Sequence, residues 1–527
     1  MLKNFCYIAT EDPGRHSKKS RNLNRTIITI FVLIFTILFI NCSDPDNNES
    51  SSDIEGFDDI QSYILDEMKW SRTPSISIAV AKDGKIIWEE SFGWANREKK
   101  IKATPHTIYS LASISKPMTA TAIMVLVERG LIDLNEPINF YLRESNVTIY
   151  EGSSTDATVS RLLHHTAGLP TIWNFYFDEG QLNRPPISES IKNYGILTSP
   201  PGTVYEYSNL GYGIAEHIIE RVSDKSFTKF MKTEVFEPLG LSRTFVASDK
   251  SQYDSIAVRY LENKNGSPFY ETMSRGGGGI CASVHDLVRF GMFHLKDHLS
   301  DQEVIISDST IEYMQTCVDP MVPDSPYKLG WDVKEMENYR VVSHGGGMPG
   351  VSSVLILVPS VNMAIAVLSN GTYIDLYKIG SRIMRQILPG KKPEDMSVNQ
   401  NENQSDTYDQ FPSEKFTGSW HGYIRAGDDS IPINLYIDDS GDVKLDLVEE
   451  GRECIPVEPF QYKYGRLNGS FDFNIPTIDA SVARHKVYMS LNLNNNRLSG
   501  YVAAISYRVE VFFLPYYINL RKDMDIN

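Results

Sequence analysis

The chain has 527 residues, 41% of them hydrophobic, and a formal net charge of -16. That is enough apolar material for more than one packed core and too much for a chain disordered throughout. The acidic balance excludes nucleic acid as a partner, because the field of the whole molecule repels a polyanion.

At the N-terminus Lys18, Lys19, Arg21 and Arg25 precede the apolar run Ile27–Ile40, "IITIFVLIFTILFI", and then "NCSDPDNNESSSD". A basic lead followed by an apolar stretch shorter than the ~20 residues that span a bilayer reads as an export signal, residues 1–41. Cys42, directly behind the run, points to lipid attachment, and the segment resembles a bacterial lipoprotein signal; a retained signal anchor is the alternative. Either way the body is expected in the cell envelope, in the periplasm or at the cell surface, held to the membrane. Residues 42–54 are polar and acidic, a tether.

Ile60, Ile64, Leu65 and Met68 fall at helical spacing, and "SISIAVAKDGKIIWEESFG" alternates around Asp83 and Gly84 as a hairpin. Ser115 to about Phe236 reads as mostly helical, with an apolar stripe at Met118, Ala122, Val125 and Leu126 that ends at Gly130. Strands return in "YRVVSHGG", "VSSVLILVP" and "MAIAVLSN", followed by a helix from about Tyr373 to Leu388. The two ends of this 55–388 segment are therefore expected to complete one antiparallel sheet with helices packed on it, an α+β architecture. Residues 389–410 read as a linker, and residues 411–527 change to period two, as in a small C-terminal antiparallel β-barrel or sandwich.

Three motifs carry chemistry. In "YSLASISKPMTA" Ser113 stands at a helix start, with Lys116 one turn on and on the same face. A serine hydroxyl becomes a useful nucleophile only when a base takes its proton, and a lysine among small apolar groups can lose its own by desolvation. About two Ser-x-x-Lys pairs arise by chance in a chain this long, and the spacing recurs at Ser226 with Lys229 and at Ser325 with Lys328; helix start and small neighbours set Ser113 apart. In "PGTVYEYSNLGYG", Tyr207 can bring a phenol beside the lysine, its pKa lowered by the ammonium, and Asn209 an amide to a substrate carbonyl. In "SHGGGMPGVSS", His344 ends a strand and the glycines behind it allow a substrate close to the backbone.

Together "SISKPMTA", "YSN" and "HGG", with "LLHHTAGLP", "GGGGICAS" and "KLGWDV", resemble the serine β-lactamase and penicillin-binding protein superfamily, most closely its class C branch with the related esterases and D-amino-acid peptidases. The resemblance implies a β-lactamase/transpeptidase-like fold: an antiparallel sheet flanked by helices plus a mostly helical subdomain. It implies Ser113 as the acylated nucleophile, Lys116 and Tyr207 as the proton-transfer pair, and Asn209, His344 and Gly346 at the substrate. The backbone amides of Ser113 and Gly347 would form the oxyanion hole. No metal and no cofactor are implied. The partner is a small ester, amide or peptide. Where class C β-lactamases have a lysine that holds the antibiotic's carboxylate this chain has His344, mostly neutral at pH 7, which favours an ester or peptide hydrolase over a β-lactamase or penicillin-binding peptidase. A non-hydrolytic sensor lipoprotein is the alternative from another class.

Other signals read as structure. His294 and His298 are expected on a solvated helix end, and His164 and His165 in a turn near the site. "RGGGGI" reads as a turn ahead of a helix capped by Ser283. Cys281, Cys317 and Cys454 are too scattered for a disulfide framework and are expected as buried small residues. Trp173 to Pro186 is expected to border the cleft, and the opening of the C-terminal part, "FTGSWHGYI", resembles the first strand of a lipocalin-like barrel that either holds a ligand or covers the cleft.

Overall fold

The computed structural model describes residues 57–178, 180, 182–261, 265–372, 374–388, 413–447, 454–463, 465–507 and 511–523. The expected signal, Cys42, the tether and the 389–410 linker lie outside these residues. Ile54–Asn527 forms one compact unit. No helix among the described residues is long and apolar enough to cross a membrane.

The two ends of the 55–388 segment meet in one seven-stranded sheet. Its order is Asp332–Met336, Tyr339–Met348, Val351–Val358, Met363–Ser369, Ser75–Lys82, Lys85–Asn96 and Ile101–Lys102. Ser75–Lys82 pairs antiparallel with Met363–Ser369, Ile78 against Val367 and Ala79 against Ala366. Successive side chains point to opposite faces. Ile76, Ile78, Val80, Ile365 and Val367 therefore pack with Ile60, Ile64, Ile379 and Ile383 of the helices Phe57–Ser71 and Leu376–Ile387. Ala79, Ala81, Ala364 and Ala366 face the other way, toward Leu287, Val288 and Phe290 of the helix Val284–His294. Small side chains in this layer let that helix approach closely: a Cβ on Gly291 would stand 3.0 Å from Leu357 and 3.2 Å from Ala364.

The helix Ser115–Glu128 differs from the striped one expected. Every residue from Ser115 to Leu126 is buried, because the helix runs through the main core, where Met118, Val125 and Leu126 join Leu210, Ile214 and Leu355. A helix covered on all sides has no need of a polar face. Helix Asn209–Ser223, N-capped by the Ser208 hydroxyl, is its neighbour.

The C-terminal part is a continuous antiparallel ladder from Ile455–Pro456 through Val443–Leu447, Asp429–Ile437, Gly418–Ala426, Val511–Lys522, Arg497–Tyr507, Lys486–Asn494 and Arg466–Phe471 to Gln461–Lys463. It curls about its own apolar face, where Trp420, Ile433, Leu445, Leu467, Met489, Val502 and Leu514 are buried. Two short strands of the first part extend the same sheet. Trp173–Phe177 pairs with the strand Val511–Lys522 on one side and with Tyr270–Thr272 on the other. Of the cysteines expected inside, Cys281 is buried, Cys317 half-buried and Cys454 exposed; the last lies at the end of the ladder, just before the strand Ile455–Pro456.

Candidate active site

Ser113 sits in a single 3-10 turn, Ala112–Ile114, that runs into the helix Ser115–Glu128. Ala112 has φ +47°, a left-handed conformation that an alanine adopts only when its surroundings hold it there. They do so through main-chain bonds: Leu111 donates to the Ile280 carbonyl at 2.9 Å, and the Leu111 carbonyl accepts from Ser353 Oγ at 2.7 Å.

Lys116 is fully buried. Its Nζ lies 3.1 Å from Ser113 Oγ, 2.8 Å from Asn209 Oδ1 and 2.9 Å from the Gly277 carbonyl oxygen. Burial holds its pKa well below the ordinary lysine value, and among the described residues no carboxylate bonds to it. A neutral amine has two hydrogens and one lone pair. The two oxygens that cannot donate, on Asn209 and Gly277, take both hydrogens, which leaves the lone pair for the Ser113 hydroxyl.

Tyr207 completes the cluster. Its phenol lies beside Ser113, and Lys116 Nζ lies 4.6 Å from the centre of its ring. The segment that carries it is pinned on both sides. The Thr171 hydroxyl donates to the Tyr207 carbonyl at 3.0 Å, the Glu206 amide to the His165 carbonyl at 2.8 Å, and the Ser208 amide to His165 Nδ1 at 3.1 Å. The phenol's acidity runs against the sequence-based expectation: burial raises its pKa well above the usual tyrosine value, and the neighbouring Ser113 offsets only part of this. A neutral lysine offers no ammonium to stabilise a phenolate, so Tyr207 carries its proton at neutral pH.

Strand Tyr339–Met348 continues through the glycines instead of ending at His344. It pairs with Asp332–Met336 only as far as Ser343, so beyond that residue its outer main-chain edge has no strand partner among the described residues. A Cβ on Gly346 would stand 2.3 Å from the Leu111 carbonyl oxygen, 2.3 Å from Ser353 Oγ and 3.0 Å from the Ser113 nitrogen, whereas one on Gly347 would meet nothing within 4 Å. Glycine at 346 thus allows the strand to pass directly against the Ser113 backbone. Ser113 and Gly347 both line the cavity there.

The imidazole of His344 is not free for a substrate. It is buried, with Nε2 2.9 Å from the Tyr327 hydroxyl and Nδ1 2.7 Å from the Gly345 carbonyl oxygen. Burial, with the nearby Lys116 second, pushes its pKa down to about 3. It is a neutral spacer beneath the strand. Asn209 likewise has its polar ends engaged, the carbonyl by Lys116 and the amide by the Ile172 carbonyl at 2.9 Å, so its first task is to hold the lysine.

Several lining groups had no place in the sequence reading. The turn Arg275–Gly278 does precede a helix capped by Ser283, and it also delivers the Gly277 carbonyl to Lys116. His294 is buried, not solvated: its Nε2 lies 3.0 Å from Thr121 Oγ1, and burial lowers its pKa to about 3. Trp173–Phe177 borders the cleft as expected, as a strand. Its every-second-residue aromatic pattern, Trp173, Phe175, Phe177, was a readable signal. Tyr507 and Val511 also line the cavity, and no local pattern could have announced that. Among the described residues no group of three or more His, Cys, Asp or Glu could hold a metal ion.

A serine and a buried lysine one turn apart, beside an open glycine-rich strand edge in this α+β frame, define the serine β-lactamase and penicillin-binding protein superfamily. The Beta-lactamase family profile matches residues 60–387, and the chain belongs to that family. An Aspergillus campestris protein named "Unguisins hydrolase ungD'" is 26% identical over 344 residues, 61% of this chain; the chain thus spans 62% of that relative's length. A class C β-lactamase structure from Rhodobacter sphaeroides is similar over 62% of this chain and 97% of its own, with TM-score 0.51 and 17% identity. The octameric penicillin-binding protein homologue from Pyrococcus abyssi is similar over 87% of this chain and 100% of its own, with TM-score 0.57 and 24% identity. The wider coverage shows that the likeness in fold extends past the matched family segment.

Proposed function

We propose that this protein is an envelope-anchored serine hydrolase that cleaves an ester, an amide or a D-amino-acid-containing peptide through an acyl-enzyme on Ser113. The observation that carries the reading is the placement of the buried Lys116 Nζ, 3.1 Å from Ser113 Oγ with its other contacts all to oxygens that cannot donate. Lys116 takes the Ser113 proton as Oγ bonds to the substrate carbonyl carbon. The carbonyl oxygen gains negative charge and is held by the Ser113 and Gly347 amides. As the carbon to leaving-group bond breaks, the protonated Tyr207 donates to the departing oxygen or nitrogen and is reprotonated from Lys116. Water then repeats the sequence on the ester, its proton passing to Lys116, and releases the acid with Ser113 restored.

The cavity supports an ester or peptide over a β-lactam. Among the described residues its lining includes no charged side chain, and His344 is neutral, so none of them offers a carboxylate a cationic partner. The name of the fungal relative points to the same broad hydrolase class. Anchoring by lipid on Cys42, or by a retained signal anchor, belongs to this proposal; loss of metabolic fatty-acid labelling in Cys42→Ala would distinguish the lipid.

Pre-steady-state turnover of a nitrophenyl ester by the wild-type protein and by Ser113→Ala tests the reading. A burst that disappears with the serine is expected; equal turnover by the two proteins would overturn it.

A further inference from the structure

The cavity beside Ser113 has a volume of about 840 Å³, in the range of sites that enclose whole drug-sized ligands and far larger than a small acyl group requires. Two distant parts of the chain build its apolar wall. In the strand Trp173–Phe177 the residues alternate half-buried and buried, so Trp173, Phe175 and Phe177 share the face that lines the cavity. Phe512 and Phe513 of the C-terminal sheet pair with Asn174 and Trp173. That ladder brings Tyr507 and Val511, cross-strand partners of each other, to the same wall. The Trp173 ring lies 4.7 Å from Phe513 and 6.4 Å from Tyr507.

An acyl group stays bonded to Ser113 between the two half-reactions, so its pocket has to be one that Ser113 lines. A second cavity, lined by Tyr207, Gly345 and Gly346 together with Asp332, His344 and Asp375, is not lined by Ser113 and so cannot hold the acyl group. We propose that the 840 Å³ cavity is an acyl pocket for a large, uncharged, apolar group, and that Tyr507 and Val511 of the C-terminal sheet are specificity-determining residues in it. The C-terminal sheet is then part of the active site and not an appended module. This rests on the Ser113 hydrolase reading.

The test is kcat/KM for nitrophenyl acetate, butyrate, octanoate and phenylacetate, measured on the wild type, Ser113→Ala, Tyr507→Ala and Val511→Asp. In the wild type kcat/KM should rise about threefold per added methylene until the pocket is filled. The octanoate to acetate ratio should fall about tenfold in Val511→Asp, which puts a charge in the wall, and about threefold in Tyr507→Ala. Tyr507 is 69% exposed, so its truncation reads out the pocket even if Val511→Asp fails to fold. A ratio unchanged in Tyr507→Ala, or a wild-type preference for acetate, overturns the acyl-pocket proposal while Ser113-dependent turnover persists. Turnover that survives Ser113→Ala instead removes the hydrolase reading beneath it.

Discussion

At the scale of single residues, the central feature is a lysine deprived of its charge. Its spacing from Ser113 was legible, as was the desolvation that small apolar neighbours impose. The protonation of Tyr207 was not, because it depends on how completely the phenol itself is buried, which only the folded core decides. The neutrality of His344 was legible, but the burial of its side chain within the fold is a tertiary fact. A lysine with a depressed folded-state pKa adds stability in full above its unfolded pKa of ~10.4, and that stability is lost as pH falls toward the folded value. At neutral pH Lys116 therefore costs the fold free energy. Lys116→Met should lower kcat/KM by about a thousandfold. Its melting temperature relative to wild type should be highest near pH 7 and should decline steadily toward pH 10, because only the wild type gains stability over that range. Differential scanning calorimetry across these pH values checks it; a constant offset would mean that Lys116 is charged in the fold.

At the scale of elements, a relay of contacts links the C-terminal sheet to Tyr207. Arg466, in the strand Arg466–Phe471, forms an ion pair with Glu206, and both side chains are mostly buried. Glu206 Oε1 accepts from the Thr171 amide at 3.3 Å, and the Thr171 hydroxyl holds the Tyr207 carbonyl. Arg466→Gln should let the Tyr207 segment shift and lower kcat about tenfold with little change in KM, since misplacing a reacting group by less than an ångström has effects of this order. Arg466→Lys should recover part of the loss, and steady-state kinetics on an alkyl ester, whose leaving group needs a proton, would show both. An equal rise in KM with kcat intact would place Arg466 in binding instead. Strand and helix periods were readable in this chain because one face of most elements is buried. The helix Ser115–Glu128 was read as a helix with one apolar stripe, but its burial on every side from Ser115 to Leu126 was not legible, since that depends on what packs around it.

For the whole molecule, the sequence order of the three motifs identified the first part, and the change to period two identified the second. Contact between them was legible only as one alternative, a barrel covering the cleft, because pairing between Trp173–Phe177 and Val511–Lys522 has no local signal. The junction is also polar. Glu151, 5% exposed, is ion-paired with Arg497 and accepts from the Tyr517 hydroxyl at 2.6 Å, while Tyr150 stacks on Tyr517 at 4.1 Å. Glu151→Ala leaves both partners unsatisfied and should lower the unfolding free energy by about 2 kcal/mol. The denaturant transition should nevertheless stay single; two resolved transitions would show that the sheets fold independently.

The mechanism turns on which atom carries the acyl group. Acid quenching during turnover of a slowly released ester, followed by intact-mass measurement and peptide mapping, locates it directly. The adduct is predicted on the peptide that contains Ser113, and it should be absent in both Ser113→Ala and Lys116→Met. An adduct on any other residue, or full turnover with no adduct at any quench time, would contradict the mechanism.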